Sequence, residues 1–74
     1  MSSKYPVLPP QKIISILHEF GFVKVSQKGS HAKYKNYFTN KIYIIPMHKE
    51  IARGTLKNIL EKADITIEDF LNQL

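Results

Sequence analysis

The apolar positions near the N-terminus repeat at the spacing of an α-helix. Side chains on one predicted helical face recur every three or four residues: Ile13, Ile14, Leu17 and Phe20. Pro10 suits a first helical turn, where its missing N–H is not needed. Gly21 can adopt the positive φ that often ends a helix. The pattern predicts a helix over residues 10–20, preceded by a flexible lead-in over residues 1–9.

The next part of the chain changes to a period of two. Three segments rich in β-forming residues follow one another: residues 22–27, 31–36 and 41–47. Turn-forming residues separate them, first at Gly29 and Ser30 and then over residues 36–40. Because the links are short, we expect a three-stranded antiparallel meander.

Alternation assigns each strand residue to one of two sheet faces. We expect one set to face the helices: Val23, Val25, Ala32, Tyr34, Ile42 and Ile44. The opposite set would then lie on a water-facing surface, the open face: Lys24, Ser26, His31, Lys33, Lys35, Lys41 and Tyr43. This prediction places a histidine among lysines.

Two further helices are predicted after the strands. A stripe over residues 53–63 comprises Leu56, Ile59, Leu60 and Ala63. Thr66 then suits an N-cap, with Asp69 at the third helical position. A short third helix would carry Ile67, Phe70, Leu71 and Leu74. The order predicts an α+β fold, α-β-β-β-α(-α), with the helices on one face of the sheet.

Length and charge narrow the function. A chain of 74 residues permits a single domain, which we place at residues 10–74. The net charge of +5 is unevenly distributed, because residues 24–57 hold eight of the eleven lysines and arginines and one carboxylate. Such a basic segment indicates a polyanionic partner. The alternative is an ordinary surface charged for solubility.

Composition also bears on the compartment. The chain has no cysteine, which fits a reducing cytosol and removes disulfides and thiolate metal sites. Its longest apolar stretch, residues 42–47, is far shorter than a membrane helix, and residues 1–10 lack the apolar run of a signal peptide. We therefore expect a cytoplasmic protein.

Four short motifs resemble the HicA family of type II toxin–antitoxin toxins. They are GF at residues 21–22, KGSH at 28–31, IPMH at 45–48 and RGTL at 53–56, the last followed by IL at 59–60. The resemblance covers residues 11–71. It implies a fold like that of double-stranded-RNA-binding domains, cleavage of mRNA without a required metal or other cofactor, and a HicB-type antitoxin partner. The catalytic histidine of the family's GSH segment corresponds to His31.

The residues themselves suit this chemistry. Histidine side chains ordinarily titrate near pH 6.5, so they serve as general acids or bases in cells. We expect phosphate binding from Lys28, Lys33 and Lys35, and close backbone approach at Gly29 and Ser30. Aromatic side chains can stack bases. Of Tyr34, Tyr37, Phe38 and Tyr43, we favour Tyr43 for RNA and expect Tyr34 in the core.

Several alternatives remain open from sequence. His48 is a candidate for RNA binding, for a second acid–base role or for capping a helix. His18 is expected to be a solvated helix residue. No ligand spacing for a metal is recognisable. The chain as a whole is predicted to be an mRNA-cleaving toxin, with a non-catalytic RNA-binding module or a domain for an acidic protein partner as alternatives.

Overall fold

The computed structural model describes residues 5–47 and 50–74. In chain order the elements are α1 (Pro10–Glu19), β1 (Phe22–Lys28), β2 (His31–Asn36), β3 (Ile42–Pro46), α2 (Arg53–Ala63) and α3 (Ile67–Leu71). All six predicted elements are present, with bounds that differ by at most a few residues. The fold is α+β with the α-β-β-β-α order of double-stranded-RNA-binding domains, extended by α3.

The helices begin and end where local chemistry predicts. Pro10 opens α1, and Gly21 follows its C-terminus with φ 97°. The helix buries Ile13 and Leu17. At the start of α3, the Thr66 Oγ1 atom accepts a hydrogen bond of 3.1 Å from the backbone N–H of Asp69, which confirms the predicted cap.

The three strands form an antiparallel sheet in the order β1-β2-β3. The turn between β1 and β2 has two residues, and Gly29 takes φ 60° at its first position. Glycine is favoured at that position because a side chain there is strained. Helix α1 packs against β1 and α2 against β3, so the helices cover one face of the sheet.

Strand β2 alternates as predicted. Ala32 and Tyr34 are buried under the helices, whereas His31 and Lys33 are exposed on the other side. Lys35 also points to that side, where it is half-buried. The lysine-bearing surface predicted for this strand is therefore confirmed, and it lies opposite the helices.

The predicted orientation of β3 was wrong. Tyr43 and Ile45 face the core, while Ile42 and Ile44 are 39% and 53% exposed. The cause is the β2–β3 register, which sets Tyr43 directly opposite the buried Tyr34. Residues opposite each other across two strands share a face, so Tyr34 brings Tyr43 into the core.

The predicted orientation of β1 was wrong for Val23, Lys24 and Val25 but right for Ser26. Only Phe22 of this strand is buried, and both Val23 and Val25 are exposed. Val23 lies opposite Lys35, on the side away from the helices, and Lys24 lies opposite Tyr34. A β-bulge between Lys24 and Ser26 then shifts the register by one residue, so a single alternation does not run through the strand.

The buried side chain of Asn36 links the end of α1 to the β2–β3 turn through hydrogen bonds. The Asn36 side-chain Nδ2 donates to the Phe20 carbonyl at 2.8 Å, at the end of α1. Its Oδ1 accepts from the backbone N–H groups of Phe38 and Thr39 at 2.8 and 3.2 Å, in the β2–β3 turn. Asn36 is 5% exposed, and these bonds give both polar atoms of its buried amide a partner within the protein.

The lead-in contacts the domain where it is described. The backbone N–H of Ile51 donates to the Leu8 carbonyl at 2.7 Å, and Tyr5 and Leu8 pack against the core. These contacts join Leu8 to the segment before α2, and the flexibility of residues 1–9 stays a prediction. Across the described residues, the helices are too short and too polar for any of them to cross a membrane.

Candidate functional site

The open face of the sheet consists of three rows of cross-strand neighbours, one residue from each strand. The row nearest the β1–β2 turn is Lys28, His31 and Pro46. The middle row is Ser26, Lys33 and Ile44, and the far row is Val23, Lys35 and Ile42. A band of positive charge therefore runs across the face beside aliphatic side chains.

His31 lies at the turn end of this face. It is the first residue of β2, it is exposed, and Lys28 lies directly opposite on β1. Directly opposite side chains in antiparallel strands have Cβ atoms about 5 Å apart. A shallow concavity of about 510 Å³ is lined by Ser26, Lys28, His31, Lys33 and Ile44. His31 thus borders an open hollow together with two lysines.

Hydrogen bonds on both sides order the β1–β2 turn beside His31. The Lys24 Nζ atom donates to the Gln27 side-chain oxygen at 2.6 Å, and Gln27 Nε2 donates to the Gly29 carbonyl at 3.1 Å. The backbone N–H of Met47 donates to the Ser30 carbonyl at 2.6 Å. Space is open around the position that a Cβ of Gly29 would occupy. A ligand can therefore approach the backbone of a turn that is already ordered.

Lys35 lies at the opposite end of the face. Its Nζ atom is 4.9 Å from the centre of the Tyr37 ring, in the geometry of a cation–π contact. Along β2, a rise of about 3.3 Å per residue places His31, Lys33 and Lys35 at intervals of about 7 Å. The three side chains thus form a regularly spaced line along β2 that starts at His31.

Tyr43, our sequence-based choice for RNA contact, does not reach this face. It is 2% exposed, its ring stacks on Tyr34 at 5.2 Å and 8°, and it meets Phe22 edge-on at 5.2 Å and 63°. Burial and the nearby Tyr34 raise the pKa of the Tyr43 phenol far above its ordinary value. Its hydroxyl has no hydrogen-bond partner among residues 5–47 and 50–74. A core position excludes base stacking by this ring.

The other candidates fall in different places. His48 lies outside the described residues, so its predicted role stays a prediction. His18 is exposed on α1, with Nδ1 3.3 Å from the Phe22 carbonyl oxygen, and lies away from the open face. Tyr34 is in the core, as expected. Within the described parts of the chain, no three His, Asp or Glu side chains come together in a group suited to a metal ion.

Sequence reasoning missed two features of the site. Ile44 lines the concavity with His31, although its place in an apolar run suggested the core. Asn36 was expected only as a strand end and turn former, yet its side chain organises the end of the sheet beside Lys35. A signal for Asn36 was present, because an asparagine before a turn readily accepts hydrogen bonds from backbone N–H groups two and three residues later.

Comparison with known proteins supports one family. The model of the HicA toxin of bacterial toxin–antitoxin systems matches residues 10–65, which is about three quarters of the chain. The matched region includes all three strands, α1 and α2, and therefore the whole open face. A search of curated proteins gave no match. The chain belongs to the HicA toxin family of bacterial toxin–antitoxin systems.

Proposed function

We propose that this toxin is a metal-independent endoribonuclease that cleaves mRNA, with His31 as its general acid or base. One observation carries the proposal: His31 is exposed in the concavity of the open face, which Lys28 and Lys33 also line. A proton-transfer group and two cations at one accessible place are what phosphodiester cleavage requires.

RNA supplies the nucleophile for this reaction. The 2′-hydroxyl attacks the adjacent phosphorus, its proton leaves to a base, and the bond from phosphorus to the 5′-oxygen breaks. The departing 5′-oxygen takes up a proton from an acid. His31 performs one of these two transfers, and water or a second group performs the other.

The lysines act on charge that develops in the transition state. As the 2′-oxygen adds to phosphorus, negative charge accumulates on the phosphoryl oxygens. Lys28 and Lys33 line the same concavity as His31 and stabilise that charge. Gly29 and Ser30 let the protein backbone come close to the phosphate. Lys35 binds the RNA strand further along the open face.

A toxin of this family acts with a cognate antitoxin. We propose that the antitoxin is of the HicB type and that it neutralises the toxin by covering the open face. The support is the mixed character of that face, where Ile42 and Ile44 are exposed beside lysines. Such a surface offers both apolar area and charge to a protein partner.

The test is RNA cleavage by the purified protein. We expect wild type to cut single-stranded mRNA with and without EDTA, and His31→Ala to be slower by roughly 10²- to 10⁴-fold. A single 2′-deoxy nucleotide at the cut site should abolish cleavage there. The matched control is His18→Ala, which removes an exposed imidazole on α1 and should leave the rate unchanged.

Two outcomes would overturn the proposal. Equal cleavage by wild type and His31→Ala would remove the histidine from the mechanism. Salt-sensitive RNA binding without strand scission, together with unimpaired growth on expression, would favour a non-catalytic RNA-binding module instead. Circular dichroism of His31→Ala should match wild type, because the side chain is exposed and no core contact is lost.

A further inference from the structure

Two aromatic rings project from the β2–β3 turn without taking part in the core. Phe38 is 91% exposed and Tyr37 is 63% exposed. Large apolar side chains are seldom left so open, since burying a phenylalanine contributes about 1.5–3 kcal/mol. We call Tyr37 and Phe38 the aromatic tip.

The aromatic tip is held in one shape rather than left loose. The Asn36 side chain accepts hydrogen bonds from the backbone N–H groups of Phe38 and Thr39, and its amide is anchored to the end of α1. The Asn36 carbonyl also accepts from the N–H of Asn40 at 2.7 Å, where Asn40 has φ 61°. A buried anchor therefore presents two exposed rings, which lowers the entropy that a ligand must overcome.

The aromatic tip continues the charged line of the open face. Lys35 on β2 places its ammonium 4.9 Å from the Tyr37 ring centre, so Tyr37 lies next in order after His31, Lys33 and Lys35. Lys41 is exposed just after the turn. A row of cations that ends in exposed rings is the arrangement by which proteins bind single-stranded nucleic acid, with phosphates on the cations and bases on the rings.

We propose that the aromatic tip is a base-stacking subsite for single-stranded RNA, separate from the cleavage centre. A base stacks on Phe38 while the phosphates between it and the cut site follow Lys33 and Lys35. His31 and Lys35 are four positions apart along β2, about 13 Å, so the stacked base lies a few nucleotides from the bond that is cut. The subsite rests on the proposed function only for its link to cleavage, since stacking itself needs no catalysis.

Intrinsic fluorescence offers a direct test, because the protein has no tryptophan. Phe38→Trp places a single reporter on the aromatic tip. Adding a short single-stranded RNA with 2′-O-methyl groups throughout, which cannot be cut, should quench its emission. Leu74→Trp is the matched control, since Leu74 is 52% exposed at the end of the chain. Emission at that position should not change on adding RNA.

Affinity for the same RNA gives the second readout. Phe38→Ala should weaken binding roughly 5- to 150-fold, the range for loss of one stacked base. Phe38→Tyr should retain wild-type affinity because a tyrosine ring also stacks, and Leu74→Ala should have no effect. Circular dichroism should show that each variant keeps the fold, since Phe38 contributes nothing to the core.

The outcomes separate this proposal from the ribonuclease proposal. Quenching and lost affinity, in a protein that cuts no RNA, would support the subsite and overturn the catalytic role. Cleavage that depends on His31 while Phe38→Ala binds and cuts like wild type would overturn the subsite alone. If Phe38→Ala leaves RNA affinity unchanged but weakens neutralisation by the antitoxin, the aromatic tip is a protein contact and the RNA subsite is wrong.

Discussion

The two faces of the sheet differ in what fixes their residues. On the covered face, Tyr43 packs between Tyr34 and Phe22 at ring distances of 5.2 Å, and each ring's position depends on the others. On the open face, His31, Lys33 and Ile44 border a hollow and are exposed to solvent. The covered face therefore determines whether the chain folds, while the open face is free to carry chemistry. Substitutions that test this division should affect either stability or RNA, but not both.

The largest effect on stability is expected from truncation of the covered face. Tyr43→Ala removes a buried aromatic ring and should lower the free energy of unfolding by about 3–5 kcal/mol. A domain of this size has about 4–11 kcal/mol in total, so much of the variant would be unfolded near 37 °C. Urea denaturation followed by circular dichroism measures the loss.

The matched substitution on the open face is Ile44→Ala, one residue away on the same strand. Because Ile44 is 53% exposed, we expect its stability to change by only about 0.5 kcal/mol. RNA affinity and antitoxin binding should respond instead, since Ile44 lines the concavity with His31. A loss of stability equal to that of Tyr43→Ala would show that the two faces are not separable in this way.

An effect on stability between those of Tyr43→Ala and Ile44→Ala is expected at the end of β2. Asn36→Ala leaves the Phe20 carbonyl and the N–H groups of Phe38 and Thr39 without their partner. We expect a loss of about 1–3 kcal/mol in the free energy of unfolding, as for other buried hydrogen-bonding groups. The aromatic tip should also become more mobile, which hydrogen exchange at Phe38 and Thr39 can measure. Unchanged exchange would contradict the anchoring role.

The orientation of β2 could be predicted from the sequence because polar and apolar side chains alternate clearly along it. Lys33 and Lys35 alternate with Ala32 and Tyr34, so only one orientation buries the apolar side chains. The position of His31 on the open face follows from that alternation. Helix ends were equally predictable, since Pro10, Gly21 and Thr66 each act through their own local chemistry.

The flanking strands lacked such a signal. Ile42, Tyr43, Ile44 and Ile45 are all apolar, so alternation does not say which pair is buried. The register across the β2–β3 turn decides, by setting Tyr43 opposite Tyr34, and turn geometry was not readable from composition. In β1 the bulge at Lys24 and Ser26 breaks the period itself. The error over Tyr43 followed directly, because its assignment to RNA depended on the strand's orientation.

A more modest change is expected when one charge is removed from the open face. Lys33→Gln should reduce the slope of log affinity for single-stranded RNA against log salt by roughly 0.7, since about one phosphate contact is lost. Stability should be unchanged because Lys33 is exposed. Lys12→Gln on α1 is the matched control and should leave the slope as in wild type. Equal slopes for all three proteins would mean that RNA does not follow Lys33.

The smallest effect at neutral pH is expected from removing only the Tyr43 hydroxyl. Tyr43→Phe keeps the ring contacts and deletes a buried group that has no partner in the described part of the chain, so stability at pH 7 should be unchanged or slightly higher. The variants should diverge at high pH. Burial raises the pKa of Tyr43 in the folded state, whereas an unfolded tyrosine ionises near pH 10.

The sign of this pH dependence follows from which state, folded or unfolded, binds the Tyr43 hydroxyl proton more tightly. The folded protein keeps the Tyr43 proton when the unfolded chain has lost it, so this residue's contribution to stability is complete below about pH 10 and falls as pH rises beyond it. The expected loss approaches about 1.4 kcal/mol per pH unit. In Tyr43→Phe this pH-dependent contribution to stability is absent. Burial also raises the pKa of Tyr34, so Tyr34 keeps a contribution of the same sign in both proteins. Urea denaturation between pH 9 and 12 should therefore show a shallower decline for Tyr43→Phe, and parallel declines would mean that water reaches the Tyr43 hydroxyl and the covered face is not closed.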